Sequence, residues 1–238
     1  LEDGSYEKAW VGGYQEGHTM GDIYAYKQVK ILSDWNEVNT MAGNYIDMIA
    51  GLYGPNVSDA DKKKYGLTKP IEPGDVCWED MNGDDVINGY DRYVVGNIFP
   101  NITGGFSTTF GYKGISLYAR FDYALGHTLY NDLAARSLGQ YQGSFNVIDK
   151  VKDTWSEANP NSDLPKFYYA DQLSKKNITR SNDSNTAADS NSSRFYEKGD
   201  YLALREITLS YQLPKSLISK VHMTDASVYV TGQNLFYI

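Results

Sequence analysis

The residues whose types and spacing could do chemistry lie in the run Asp80-Met81-Asn82-Gly83-Asp84-Asp85-Val86-Ile87-Asn88-Gly89-Tyr90-Asp91. Side-chain oxygens recur at positions one, three, five, nine and twelve, with a backbone carbonyl at position seven. That is the spacing with which a loop wraps a calcium ion in hard oxygen donors. In this reading Asp80, Asn82, Asp84 and Asp91 ligate through their side chains and Val86 through its carbonyl. Asn88 acts directly or through water, and Ile87 anchors the loop. Two positions depart from the pattern. Position six is Asp85 where the sharp turn favours Gly, a change Asp tolerates because it visits the left-handed region more readily than most residues. Position twelve is Asp91 rather than a bidentate Glu. The competing reading is an acidic Asx-rich turn without an ion.

Other chemistry is poorly represented. The sequence holds no G-x-S-x-G elbow, H-E-x-x-H, P-loop or C-x-x-C, and His18, His127 and His222 are scattered. The single cysteine, Cys77, has no nearby His or Lys and reads as an inert thiol. Glu79-Asp80 fits the cation loop better than a glycosidase pair. The chain therefore reads as no enzyme. Trp10, Trp35, Trp78 and Trp155 sit in or beside predicted loops. They read either as stacking surfaces for the apolar face of a sugar or as loop packing and interfacial girdle residues.

These residues need a scaffold, and the hydrophobic pattern predicts one made of strands. From Ile102 to Tyr112, Ile102, Phe106, Phe110 and Tyr112 share a face with Gly104 and Thr108, while Thr103, Gly105, Ser107, Thr109 and Gly111 take the other. After a Lys113-Gly114 turn the alternation resumes, with Ile115, Leu117, Ala119, Phe121, Tyr123 and Leu125 opposite Ser116, Tyr118, Arg120, Asp122, Ala124 and Gly126. The two runs predict a β-hairpin. A further strand is predicted over Arg205–Leu213, stopped by Pro214. A short helical connection over Lys215–Lys220 and another strand over Ala226–Gly232 follow, and Ile23–Lys27 begins or ends an earlier one.

The second face separates two architectures. A soluble sandwich turns a Lys- and Glu-rich face to water, whereas here that face is mostly Gly, Ser and Thr, which suits a water-lined lumen. The opposite face is free of charge from Ile102 to Leu125, as a lipid-facing band requires, since Arg or Lys at mid-depth costs about 2–4 kcal/mol. The expected fold class is all-β, an antiparallel transmembrane β-barrel portion with long outward loops over Ser33–Pro73 and His127–Ser193. The alternative is a secreted soluble β-sandwich binding calcium and carbohydrate. The tract Asn182–Ser193 is too polar to build a core of its own.

Composition bounds both readings. The 238 residues carry 22 Lys+Arg against 30 Asp+Glu, a net charge of -8 that works against binding nucleic acid. One cysteine permits no internal disulfide. No stretch of about 18 apolar residues is present to form a transmembrane helix, which leaves a barrel open. Tyr outnumbers Phe by 21 to 8, which fits half-buried pleated surfaces and membrane interfaces. Beginning at Leu1-Glu2 without Met or a signal peptide, the chain reads as an internal piece or mature form.

Specific residues then point to a family. Pro73-Gly74-Asp75 leads into Asp80-Met81-Asn82-Gly83-Asp84, followed by Asp91-Arg92, Gly96-Asn97, Pro100 and the Tyr112-Lys113-Gly114 turn. Trp155-Ser-Glu-Ala-Asn159-Pro160 and Ser193-Arg194-Phe195 come next, then the run from Gly199-Asp200-Tyr201 to Leu213-Pro214-Lys215, and finally Tyr229-Val-Thr-Gly232-Gln233-Asn234-Leu235-Phe236. Together they resemble the C-terminal half of the SusC/RagA family of TonB-dependent outer-membrane transporters, from about Gly12 to Ile238. The resemblance implies part of a 22-stranded barrel with an N-terminal plug and TonB contact elsewhere, closed by a SusD-like surface lipoprotein. It also implies import of oligosaccharides or peptides across the outer membrane of Gram-negative bacteria. Measured against that pattern, residues 1–238 are expected to be the C-terminal part of the barrel without its plug and final strands, and residues 75–92 a calcium-type loop in an extracellular segment. With the Lys113-Gly114 turn periplasmic, the long segments face outward. Arg120, Asp122, Glu206 and Gln212 then face the lumen. Trp35, Trp78, Trp155, Arg120 and Asp122 are the candidates for touching substrate.

Overall fold

A computed structural model describes residues 17, 19–139, 148–168 and 192–238. Trp10, His18 and the tract 182–191 lie outside the described residues. In chain order the strands are β1 (Asp22–Tyr26), β2 (Gln28–Ile31), β3 (Ile46–Asp47), β4 (Leu52–Tyr53), β5 (Lys69–Pro70), β6 (Val76–Trp78), β7 (Val86–Ile87), β8 (Arg92–Asn97), β9 (Ile102–Tyr112), β10 (Ile115–Leu125), β11 (Thr128–Tyr130), β12 (Tyr196–Lys198), β13 (Tyr201–Gln212) and β14 (Ser227–Tyr237). The helices are α1 (Trp35–Met41), α2 (Asp59–Lys64), α3 (Asp132–Gly139) and α4 (Lys215–Ile218). The chain divides into two units, Leu1–Ile98 with Leu129–Glu197, and Phe99–Thr128 with Lys198–Ile238.

The second unit is one antiparallel sheet in the order β14-β13-β10-β9. Its β9–β10 hairpin has the bounds and register that the alternation predicts, Tyr112 opposite Ile115. Lys113 (φ 47°) and Gly114 (φ 82°) both take the left-handed conformation that a two-residue turn between twisted strands demands. Across the sheet, side chains sort into rows. Phe110, Leu117, Leu209 and Val230 share one face, and Thr109, Tyr118, Thr208 and Thr231 the other, where the Thr208 and Thr231 hydroxyls meet at 2.9 Å. Within the unit nothing packs on the apolar row, and Phe110 and Val230 are 66% and 76% exposed.

The strand expected to start at Arg205 starts at Tyr201, because a bulge rescues the alternation. Arg120 pairs with Glu206 but Phe121 pairs with Leu204, so Arg205 is the extra residue. The shift returns Leu204 and Leu202 to the apolar face and carries the guanidinium to the polar one. There Arg205 makes a two-pronged ion pair with Asp122, through Nε to Oδ1 and through Nη2 to Oδ2 at 2.9 Å. Tyr201 donates to Asp122 at 3.2 Å. β14 absorbs the same step around Asn234, whose φ is 49°, and also runs past its expected end at Gly232.

The described strands close no barrel, and β9 and β14 have no described partner on their outer sides. One expectation is corrected. The fold is mostly β rather than all-β, because the described parts of the stretches expected as long polar loops, residues 33–73, 129–139, 148–168 and 192–193, fold into the first unit. Its core gathers Tyr26, Leu32, Val38, Ala42, Leu52, Ile71, Val76, Trp78 and Ile87 from short elements. Two-residue strands and six- or seven-residue helices are too short to show a period, so only the packed structure reveals them. Antiparallel β1–β8 and β2–β6 ladders frame this core, beside a small sheet ordered β5-β4-β3-β7.

The turn gives a direct check. A Cβ at Gly114 would lie 3.2 Å from the Gln212 carbonyl oxygen, at a φ that β-branched residues avoid. Gly114→Val is expected to destabilise the hairpin by about 1–3 kcal/mol, while Lys113→Asn leaves stability unchanged or raised. Thermal melts in detergent read both.

Candidate binding cleft and acidic loop

The Asp80–Asp91 segment folds as a tight loop held by its own carboxylates. Asp80 accepts the N–H groups of Gly83 and Asp85 at 2.7 Å each, and Asp84 accepts that of Val86 at 2.8 Å. Asp85 sits at φ 61°, the conformation expected of position six. Ile87 is fully buried, as an anchor should be. Asp91 closes the loop differently. It is fully buried, and its carboxylate accepts Met81 N–H at 3.0 Å and Asn88 N–H at 2.7 Å. Burial pushes its carboxyl above the ordinary Asp range, against the pull of those two hydrogen bonds. The donor types fit a hard cation, but among the described residues no three His, Cys, Asp or Glu side chains gather in a way that could hold a metal ion. As folded, the loop satisfies itself with N–H donors.

Next to this loop in sequence, the Pro73-Gly74-Asp75 turn fastens a distant segment. Asp75, fully buried, accepts Glu72 N–H at 2.8 Å and the Tyr168 hydroxyl at 2.9 Å. Burial and the neighbouring Asp75 push the Tyr168 phenol far above its ordinary range, so it stays a donor. The Gly74 carbonyl accepts Lys166 N–H at 2.8 Å. Gly74 itself is at φ 95°, and a Cβ there would meet Lys166 Cβ at 2.5 Å and the Trp155 ring at 2.6 Å. Trp155 is tied at its edge, Nε1 donating to the Ser33 carbonyl at 3.2 Å.

These ties shape a cleft of about 610 Å³ whose walls include Trp35, Trp155, Pro73 and Pro160, with Asp34, Glu72, Glu157 and Lys166 among them. Trp35 is 57% exposed at the start of α1. Asp34 caps that helix by accepting Glu37 N–H at 2.8 Å, and Glu37 reaches back to Ser33 N–H at 2.7 Å and pairs with Lys30.

Of the tryptophans proposed to touch substrate, the structure thus brings Trp35 and Trp155 together and removes Trp78. Trp78 is 2% exposed, its backbone held by the Tyr45 hydroxyl, so it is core. Cys77 beside it is buried, as an inert thiol would be. Of the polar-face candidates, Arg120 is exposed and paired in register with Glu206, whereas Asp122 is committed to Arg205. Sequence reading missed Lys166, Glu72, Asp34 and Glu157 as cleft residues. Their signals in the sequence are the Pro73-Gly74-Asp75 and Trp155-to-Pro160 motifs, whose contact no spacing encodes.

Comparison with known proteins places this geometry. No protein-family profile matches the chain. It is 31% identical over 170 residues to TonB-dependent receptor P26 of Formosa agariphila, covering 71% of this chain and 16% of the relative. It is 26% identical to TonB-dependent receptor P3 of the same organism, over 93% of this chain and 18% of that one. The structure of the RagAB peptide transporter matches with a TM-score of 0.54 at 24% identity, over 69% of this chain and 17% of the solved one. The RagAB peptide importer in its closed-closed state matches 92% of this chain and 20% of its own, also with a TM-score of 0.54, at 21% identity. The chain therefore belongs to the TonB-dependent receptors, and it spans about a fifth or less of the length of these relatives. Its motifs from Pro73 to Phe236 resemble the SusC/RagA type, and the likeness to the RagAB structures is one of fold.

Glu37 links the cleft to pH. The Lys30 ammonium, and after it the Ser33 N–H, hold its carboxyl below the ordinary Glu range. A carboxyl whose folded value is depressed adds stability above its unfolded pKa of about 4.3, and that stability is lost as pH falls through the folded value. Glu37→Gln should therefore cost about 1 kcal/mol near neutrality and nothing once both proteins are measured well below pH 4. Melting curves across pH show it.

Proposed function

We propose that the chain supplies wall strands, lumen surface and outward-facing segments to a SusC-like importer in the bacterial outer membrane. The observation that carries this reading is the four-stranded sheet, whose opposed faces are an uncharged apolar row and a Thr-, Ser- and Gly-rich polar one. A water-exposed sheet has no use for the first, and a dry core none for the second. Among the described residues neither outer strand has a partner on its outer side, which leaves both edges for onward pairing as a barrel wall requires. The soluble sandwich needs a second sheet over Phe110 and Val230, and the unit has none.

In this proposal oligosaccharides or peptides enter beneath a SusD-like surface lipoprotein, and the receptor engages TonB through another part of its length. The likeness to RagAB, a peptide transporter and importer, favours peptides. Leu209→Arg and Thr208→Arg test the wall, since they place the same charge at adjacent depths on opposite faces. The first should impair membrane assembly, at a cost of about 2–4 kcal/mol. The second, beside Glu206, should be tolerated. Equal tolerance of both, read by outer-membrane fractionation and heat-modifiable gel mobility, would sink the wall reading.

A calcium ion at Asp80, Asn82, Asp84, Val86, Asn88 and Asp91 is a separate proposal. It is supported by the oxygen spacing and by Asp80 Oδ2 and Asp84 Oδ1, which keep a lone pair after accepting one N–H each. Binding would draw the half-buried Asp80 and the exposed Asp84 inward. Calcium at about a hundredfold over its dissociation constant should then add about 2.7 kcal/mol to the stability of the chain and nothing to Asp80→Ala. Melting curves that coincide in calcium and in chelator would remove the ion from the account.

A further inference from the structure

We propose that the cleft beside α1 recognises a cationic side chain, the Lys or Arg of an extended peptide. This deepens the importer reading by giving its substrate a charge. The cleft carries three carboxylates, Asp34, Glu72 and Glu157, against one ammonium, Lys166. Lys166 shows what the cleft favours. Its Nζ lies 5.8 Å from the centre of the Trp155 ring, 5.5 Å from that of Tyr168 and 3.8 Å from Glu72, an ammonium seated between aromatic faces and a carboxylate. The same lining also holds the exposed Trp35 with Asp34 and Glu157, and no described Lys or Arg forms an ion pair with either acid.

A ring face and two carboxylates together bind a cation better than either does alone, because the quadrupole and the formal charges act on the same ion. A neutral sugar would stack on Trp35 but leave both carboxylates uncompensated as the cleft loses water. The volume lies in the range of small-ligand sites and admits one long side chain with its flanking backbone. Pro73 and Pro160 stiffen the walls, and Asp34 is oriented by its cap on Glu37, so one edge of the site is built before the ligand arrives.

The test uses the full chain in detergent and two blocked peptides, Ala-Ala-Lys-Ala-Ala and the same sequence with Nε-acetyl-lysine. The lysine peptide should change tryptophan fluorescence saturably and bind more weakly as salt rises. Acetylation, Trp35→Ala and Glu157→Gln should each weaken binding by about tenfold. Both substituted residues are exposed, so unchanged melting curves verify that the variants are folded. Equal affinity for the acetylated peptide, equal competition by maltotetraose, or no saturable response to the lysine peptide overturns the proposal. Failure here with Leu209→Arg still harmful leaves the importer reading intact. Binding here with Leu209→Arg tolerated fails that reading alone.

Discussion

The second unit depends on register. In a sheet with two dissimilar faces, a slip of one residue moves every side chain to the wrong side. Over β9 and β10 the alternation needs no correction. Over β13 it would place Arg205 on the apolar face, and the bulge prevents that by adding one residue to the strand. The Asp122 carboxylate, the Tyr201 hydroxyl and the Tyr201 and Tyr237 rings then surround the relocated guanidinium. The ion pair thus pins the register, since any other pairing of β10 with β13 would separate Asp122 from Arg205.

The first unit solves a different problem. It has few long elements, so it cannot satisfy its backbone through extended ladders, and buried aspartates take their place. Asp47 accepts Ala50 N–H, Asp75 accepts Glu72 N–H and the Tyr168 hydroxyl, and Asp91 accepts Met81 and Asn88 N–H. A buried carboxylate is costly unless it is hydrogen-bonded, and each of these sits inside a turn that supplies the donors. Turns fixed in this way can hold side chains such as Trp155 as firmly as a helix would. That is why a cleft can form between loops.

The hairpin was legible to the residue because eleven-residue strands repeat their pattern often enough to be seen and Lys113-Gly114 is a recognisable turn. The start of β13 was not, because a bulge breaks the period at the point where the period was being used. The acidic loop was legible as a loop, with Ile87 as its anchor and Asp85 in the left-handed region. The buried position of Asp91 was not, since spacing cannot distinguish a carboxylate aimed at an ion from one aimed at two N–H groups. Trp78 illustrates the same limit. Glu79 and Asp80 follow it directly, and only packing against Tyr45 and the rest of the core explains its burial.

By itself the sequence determined the strands, the two faces of the sheet and, through motifs from Pro73 to Phe236, the kind of receptor to which the chain belongs. Those properties are local or repeat along the chain. Tertiary structure alone decided which tryptophans share a cleft, where the carboxylates point, and that the described parts of the long segments fold around a core. The reason is distance along the chain. Trp35 and Trp155 lie 120 positions apart, and the Gly74 turn that joins their segments works through close backbone approach and hydrogen bonds, which no periodicity encodes.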